Sequence, residues 1–103
     1  MFYLKVHDLP GEVLVAVCDK DLLGKRLCDG DLKLEVSDRF YGGDLVDEGA
    51  VFSALEKASI ANIIGNVIVG KALERSLISC LGVIEVGGVK HAQIVSLPRS
   101  KKP

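Results

Sequence analysis

The chain has 103 residues, 49% of them hydrophobic and 26% charged, with a net charge of −1. That length and composition suit one soluble domain with its own core, and the near-zero charge excludes a global field that draws in nucleic acid or a membrane surface. No apolar run approaches the roughly 18–20 residues needed to span a bilayer, and the opening MFYLKVHDLPG lacks a basic leader followed by an apolar stretch, so the expected location is cytoplasmic.

The elements follow in order. Phe2, Leu4 and Val6 alternate with Tyr3, Lys5 and His7, which predicts a half-buried strand over 2–7. Asp8-Leu9-Pro10-Gly11 reads as a turn, and His7 beside it as solvent-exposed. Val13 to Cys18 is apolar at every position and reads as a central strand, 12–18, closing a hairpin. Residues 19–29 suggest a short helical turn capped by Asp19. Residues 31–36 alternate cleanly again and predict a third strand of the same sheet.

Ser37 to Asp47 reads as one long loop containing Phe40-Tyr41-Gly42-Gly43. Asp47 is a candidate N-cap for a helix over 48–58 whose stripe is Val51, Leu55 and Ala58, with Phe52 beside it. Ser59 suggests a further short turn through Ile64, and Gly65-Asn66 breaks it. A second helix is expected over 66–77, buried through Val69, Ala72, Leu73 and Leu77. Gly70 inside it weakens it by about 1 kcal/mol relative to Ala. Val83–Val86, Gly87-Gly88 and the run 89–97 make a tight hairpin in which Glu85 faces Lys90 and Ile84 faces His91. Residues 1–97 are thus one domain. Residues 98–103 form a basic tail, expected to be disordered. The expected fold is an α+β two-layer sandwich, a mostly antiparallel sheet with helices on one face.

Cys18, Cys28 and Cys80 are odd in number and lie in no metal-finger spacing. They predict a reducing compartment, no disulfide and no structural metal. Nor does any phosphate-cradling loop, nucleophile elbow or other cofactor motif occur, so no cofactor is expected.

Three features remain as candidate binding residues. The Phe40, Tyr41, Gly42, Gly43 loop offers aromatics for stacking or for plugging into a partner; the competing reading folds the loop back so that both rings complete a core short of aromatics. Lys71 and Arg75, one turn apart, offer a basic patch with the C-terminal tail. His91 and Gln93 project together from the last hairpin. His91 suits proton transfer near neutral pH, or else a structural role bonded to a loop carbonyl. Asn62 and Asn66 flank the Gly65 break, where polar residues usually cap. Charge is also divided along the chain: residues 1–48 are net −5 and residues 49–103 net +4.

Three segments together resemble a known family: FYGG at 40–43, ANIIG at 61–65 and GVIEVGGVKHAQIVSL at 82–97. The chain resembles, over roughly residues 2–97, an archaeal family catalogued as domain of unknown function 424. The resemblance implies a small cytosolic α+β domain linked with archaeal translation, and it supplies no catalytic residues. The leading reading is a non-catalytic binding module for RNA or a ribosome-associated protein. An enzyme using His91 on a small molecule, and a protein–protein adaptor or homodimer, stay open beside it.

Overall fold

Pro10 and Gly11 fold the first two strands back on each other. β1 (Phe2–Leu9) pairs antiparallel with β2 (Glu12–Asp19), Leu9 opposite Glu12 and Phe2 opposite Asp19. The computed structural model describes residues 1–95, so the expected end of the last strand at Leu97 and the expected tail at 98–103 lie outside the described residues. After β2 comes a single 3-10 turn, Lys20–Leu22, then a small hairpin of β3 (Arg26–Asp29) and β4 (Leu32–Glu35). The short helical turn expected within 19–29 is this 3-10 turn, although the Asp19 side chain does not cap it and Arg26–Asp29 are strand. The strand expected at 31–36 belongs to a separate two-stranded sheet rather than to the main one.

The long loop is also more ordered than expected. Ser37 caps one helical turn, α1 (Asp38–Tyr41), through a 3.2 Å bond from the Phe40 N–H to its hydroxyl. β5 (Asp44–Val46) follows and pairs with Phe2–Leu4 of β1. Gly43 lies so close to that strand that a Cβ would run into the Leu4 carbonyl oxygen. Helix α2 (Glu48–Lys57) starts as expected at Asp47, whose carboxylate accepts from the Ala50 N–H at 3.0 Å.

The largest correction concerns residues 59–64. They form β6 (Ile60–Ile64), a central strand parallel to β2. Ser59 caps nothing. Its hydroxyl accepts from the Val13 N–H and its backbone N–H donates to the Val13 carbonyl, each at 2.9 Å, which docks the chain onto β2. Three isoleucines in five residues favour the pleated surface. Helix α3 (Asn66–Glu74) is shorter than expected, because Ser76 adopts φ 60° and turns the chain away. A second 3-10 turn, Cys80–Gly82, leads into β7 (Val83–Val86) and β8 (Val89–Val95), which pair in the expected register with Ile84 opposite His91.

The main sheet runs β5-β1-β2-β6-β8-β7, antiparallel except at the β2/β6 seam. The fold is mixed α and β, as expected. α2 and α3 pack on one face, here the helix face, around Phe2, Val15, Val17, Val51, Phe52, Ile63, Ile68 and Val69. The other face also carries a core. There the β3–β4 hairpin and α1 bring Leu27, Val36 and Tyr41 onto Ala16, Cys18, Ile64 and Val86. This is the hairpin face. Period-2 alternation of the strands feeds both cores: Val15 and Val17 point one way, Ala16 and Cys18 the other. Among the described residues no helix is long and apolar enough to cross a membrane.

Candidate functional site

Strand registers arrange the hairpin face in rows. Tyr3, Cys18, Ile64, His91 and Ile84 lie across one row. Lys5, Ala16, Asn62 and Gln93 form the next, and His7, Leu14, Ile60 and Val95 the third. The first row is the most covered: Cys18 and Ile64 are fully buried. The next two are open enough to leave Asn62, Leu14 and Ile60 half-buried, and Gln93 and Val95 exposed.

At one side of these rows stands α1. Lys5 donates from Nζ to the Arg39 carbonyl at 2.7 Å. His7 Nε2 bonds the Phe40 carbonyl at 2.9 Å, and its ring stacks on Phe40 with centroids 5.0 Å apart. The histidine tied to a loop carbonyl is thus His7, which the sequence suggested was exposed. On the other side, His91 has no such bond. Among the described residues no group hydrogen-bonds the side chain of His91, Gln93 or Asn62. Burial alone holds the His91 imidazole below the ordinary histidine range.

The expected site residues do not converge. Tyr41 is core, 4% exposed, and burial pushes its hydroxyl up to about 12. Phe40 is half-buried against His7 and meets Tyr41 edge-on. Gly42 and Gly43 carry the chain from α1 into β5. This loop folds over β1, and β2 and β6 separate β1 from the strand that carries His91 and Gln93. Lys71 and Arg75 lie on α3, which packs on the opposite face, and both are engaged: they pair with Glu48 at 3.0 and 2.9 Å and hold its carboxyl below the usual range. Arg75 also covers the Phe52 ring at 3.7 Å. They tie α2 to α3 rather than forming a free basic patch.

Sequence reasoning missed two polar residues. Asp19 caps α3 from a neighbouring strand, its two oxygens accepting from Val67 and Ile68 N–H at 2.9 and 3.0 Å. Asn62 is a face residue rather than a cap, and the signal for it was present: two residues after Ile60 and two before Ile64, it shares their side of a strand. Asn66 does not cap either. Its amide reaches across to the Gly88 carbonyl at 3.2 Å and takes the Lys90 N–H at 2.9 Å.

That last contact joins the ends of two of the sequence motifs, since Gly65 N–H also donates to the Lys90 carbonyl at 2.9 Å. The family profile described as "Protein of unknown function (DUF424)" matches residues 7–97. The chain belongs to the DUF424 family. Among solved structures, it is similar to the "crystal structure of an uncharacterized conserved protein from Methanopyrus kandleri", with a TM-score of 0.78 and 27% identity over 95% of this chain and 93% of that one. No curated protein matches the chain. In this DUF424 chain the motifs have structural work. FYGG delivers Tyr41 to the hairpin-face core and brings β5 against β1. ANIIG supplies the central strand. The Gly87-Gly88 turn, with φ of 57° and 83°, places Gly88 and Lys90 on Asn66.

Proposed function

We propose that this protein is a non-catalytic binding module that takes single-stranded RNA on the open rows of its hairpin face. The observation that carries the reading is the row of side chains without partners among the described residues, Asn62 directly opposite Gln93, with His91 beside them. Amide side chains offer both donors and acceptors, which suits the edges of unpaired bases. The described strands of the main sheet contribute one acid to this face, Glu12 at the rim, and Ser59 binds it at 3.2 Å. Lys5 and Arg39 stand at the α1 side for phosphates, and Phe40 with His7 supplies ring surface there. Catalysis is less well supported, because among the described residues no carboxylate or hydroxyl engages His91 to make it an acid–base pair.

The test is fluorescence anisotropy with a labelled single-stranded RNA of mixed sequence across a salt series. Binding is expected to weaken as salt rises, with a shallow slope of about −1.4 in log units for about two phosphate contacts. The double variant Asn62→Ala, Gln93→Ala is expected to bind at least about tenfold more weakly while melting at an unchanged temperature. RNA binding that ignores the double variant, or no binding at low salt, rejects the proposal.

A further inference from the structure

A second surface lies on the helix face, at the opposite side of β1. β1 runs eight residues, but β5 covers its outer edge only along Phe2–Leu4. Beyond that the edge from Lys5 to Leu9 has no neighbouring strand among the described residues. Leu9 and Glu12 face each other across the two-residue turn, and the pair that closes such a turn is a hydrogen-bonded one, so the alternation of an antiparallel ladder points the Leu9, His7 and Lys5 backbone groups toward β2. It points the N–H and C=O of Val6 and Asp8 outward. No backbone or side-chain group among the described residues takes them.

Beside this edge is an apolar groove of about 490 Å³. Val6, Val13 and Val15 form its floor, and Ala50, Ser53 and Ala54 of α2 its wall. Val6 belongs to both features: its backbone faces the open edge and its side chain, 48% exposed, faces the groove. Small side chains on α2 keep the helix from filling the space. Lys57 closes one end, and no described acid pairs with it. An unpaired strand edge and an apolar groove between that strand and a helix together specify an occupant. It must be extended, because only a strand satisfies the amide and carbonyl of Val6 and Asp8 together. It must also alternate, because every second side chain of such a strand points into the groove.

We propose that this edge is a docking site for an extended peptide segment of a protein partner, added as a strand beside β1 in line with β5. Two aliphatic side chains at i and i+2 enter the groove. The side chains between them face the Phe40–His7 stack. Backbone pairing supplies the affinity and the groove the selectivity, as in strand addition generally. The groove and the open edge lie apart from the Asn62–Gln93 row that carries the RNA reading, and the two surfaces share only the Phe40–His7 stack.

The experiment pans a phage-displayed library of random peptides against the full chain. Enriched peptides are expected to carry two aliphatic residues at i and i+2. Val6→Pro removes the outward amide while leaving the β1–β2 ladder intact. Ser53→Trp fills the groove from an exposed helix position. Each is expected to weaken an enriched peptide by about tenfold or more with little change in melting temperature. Should Val6→Pro fail to fold, Ser53→Trp and hydrogen exchange decide: the Val6 and Asp8 amides are expected to exchange more slowly when the peptide binds. Peptides that bind Ser53→Trp as well as the parent, that leave those amides unprotected, or that never enrich overturn the proposal.

Discussion

His7 and His91 have opposite roles from those their surroundings in the chain suggest. Which histidine meets a carbonyl depends on where residues 38–41 fold, and nothing near His7 or His91 in sequence encodes that. Tyr41 shows the same gap. An aromatic before two glycines reads equally well as contact surface or as filler, and the structure makes it filler, beside Cys18 and Val36. Tyr41→Ala is therefore expected to destabilise by about 3–5 kcal/mol, as for other large core truncations. Tyr41→Phe should change stability by less than about 1 kcal/mol, because no described group bonds the hydroxyl. Urea denaturation of both variants checks this, and equal losses would show that the hydroxyl has a hidden partner. His91 gives a pH prediction. Burial depresses its folded pKa below the unfolded value, so the unfolded chain binds the extra proton first. Its contribution is full above the unfolded pKa of about 6.5 and is lost as pH falls from there toward the lower folded value. His91→Gln is expected to lose less stability than the parent between about pH 7.5 and pH 5. Parallel pH profiles for the two proteins would show that His91 is not desolvated.

Elements were legible where one physical signal dominated. The two tight hairpins, the Asp47-capped helix and the Glu85–Lys90 register follow from turn chemistry and periodicity, and each stands in the structure. β6 was not legible. Its five residues follow a helix and precede a helix, and only pairing with β2 on one side and β8 on the other makes them a strand. Helix α3 illustrates how tertiary context rescues a weak segment. Gly65 gives it no side-chain cap, yet Asp19 supplies one from β2, and a Cβ on Gly65 would run into that carboxylate. Gly70 is a different case. It sits mid-helix, and a methyl group there meets nothing within 4 Å beyond the helix itself. Gly70→Ala should therefore stabilise the protein by about 0.5–1 kcal/mol. Thermal denaturation reads it, and a fall in melting temperature would mean that Gly70 touches something the structure does not show.

Across the whole molecule, the chain's two halves lie side by side in the sheet. β5, β1 and β2 come from the first half, and β6, β8 and β7 from the second, with the parallel β2/β6 pair as the seam. The acidic excess of residues 1–48 thus lies on one side. Much of the basic excess of the other half belongs to Arg99, Lys101 and Lys102, outside the described residues. Such a layout invites the idea of two separable units, but the cores argue against it. The helix-face core joins Phe2, Val15 and Val17 of the first half to Val51, Phe52, Ile63 and Ile68 of the second. The hairpin-face core joins Ala16, Cys18, Val36 and Tyr41 to Ile64 and Val86. Among the described residues each core cluster draws on both halves, so neither half alone buries the full core that offsets the entropy of ordering it. Ser59 on Val13 and Asp19 on α3 cross the same seam. Unfolding is therefore expected to be a single cooperative transition. Far-UV circular dichroism follows the sheet and helices, and the near-UV tyrosine signal follows Tyr3 and Tyr41 packing in the first half. The two denaturation curves should coincide, and a fragment of residues 1–47 should be unfolded by itself. A near-UV transition that separates from the far-UV one, or a folded fragment, would show that the seam divides two independent units.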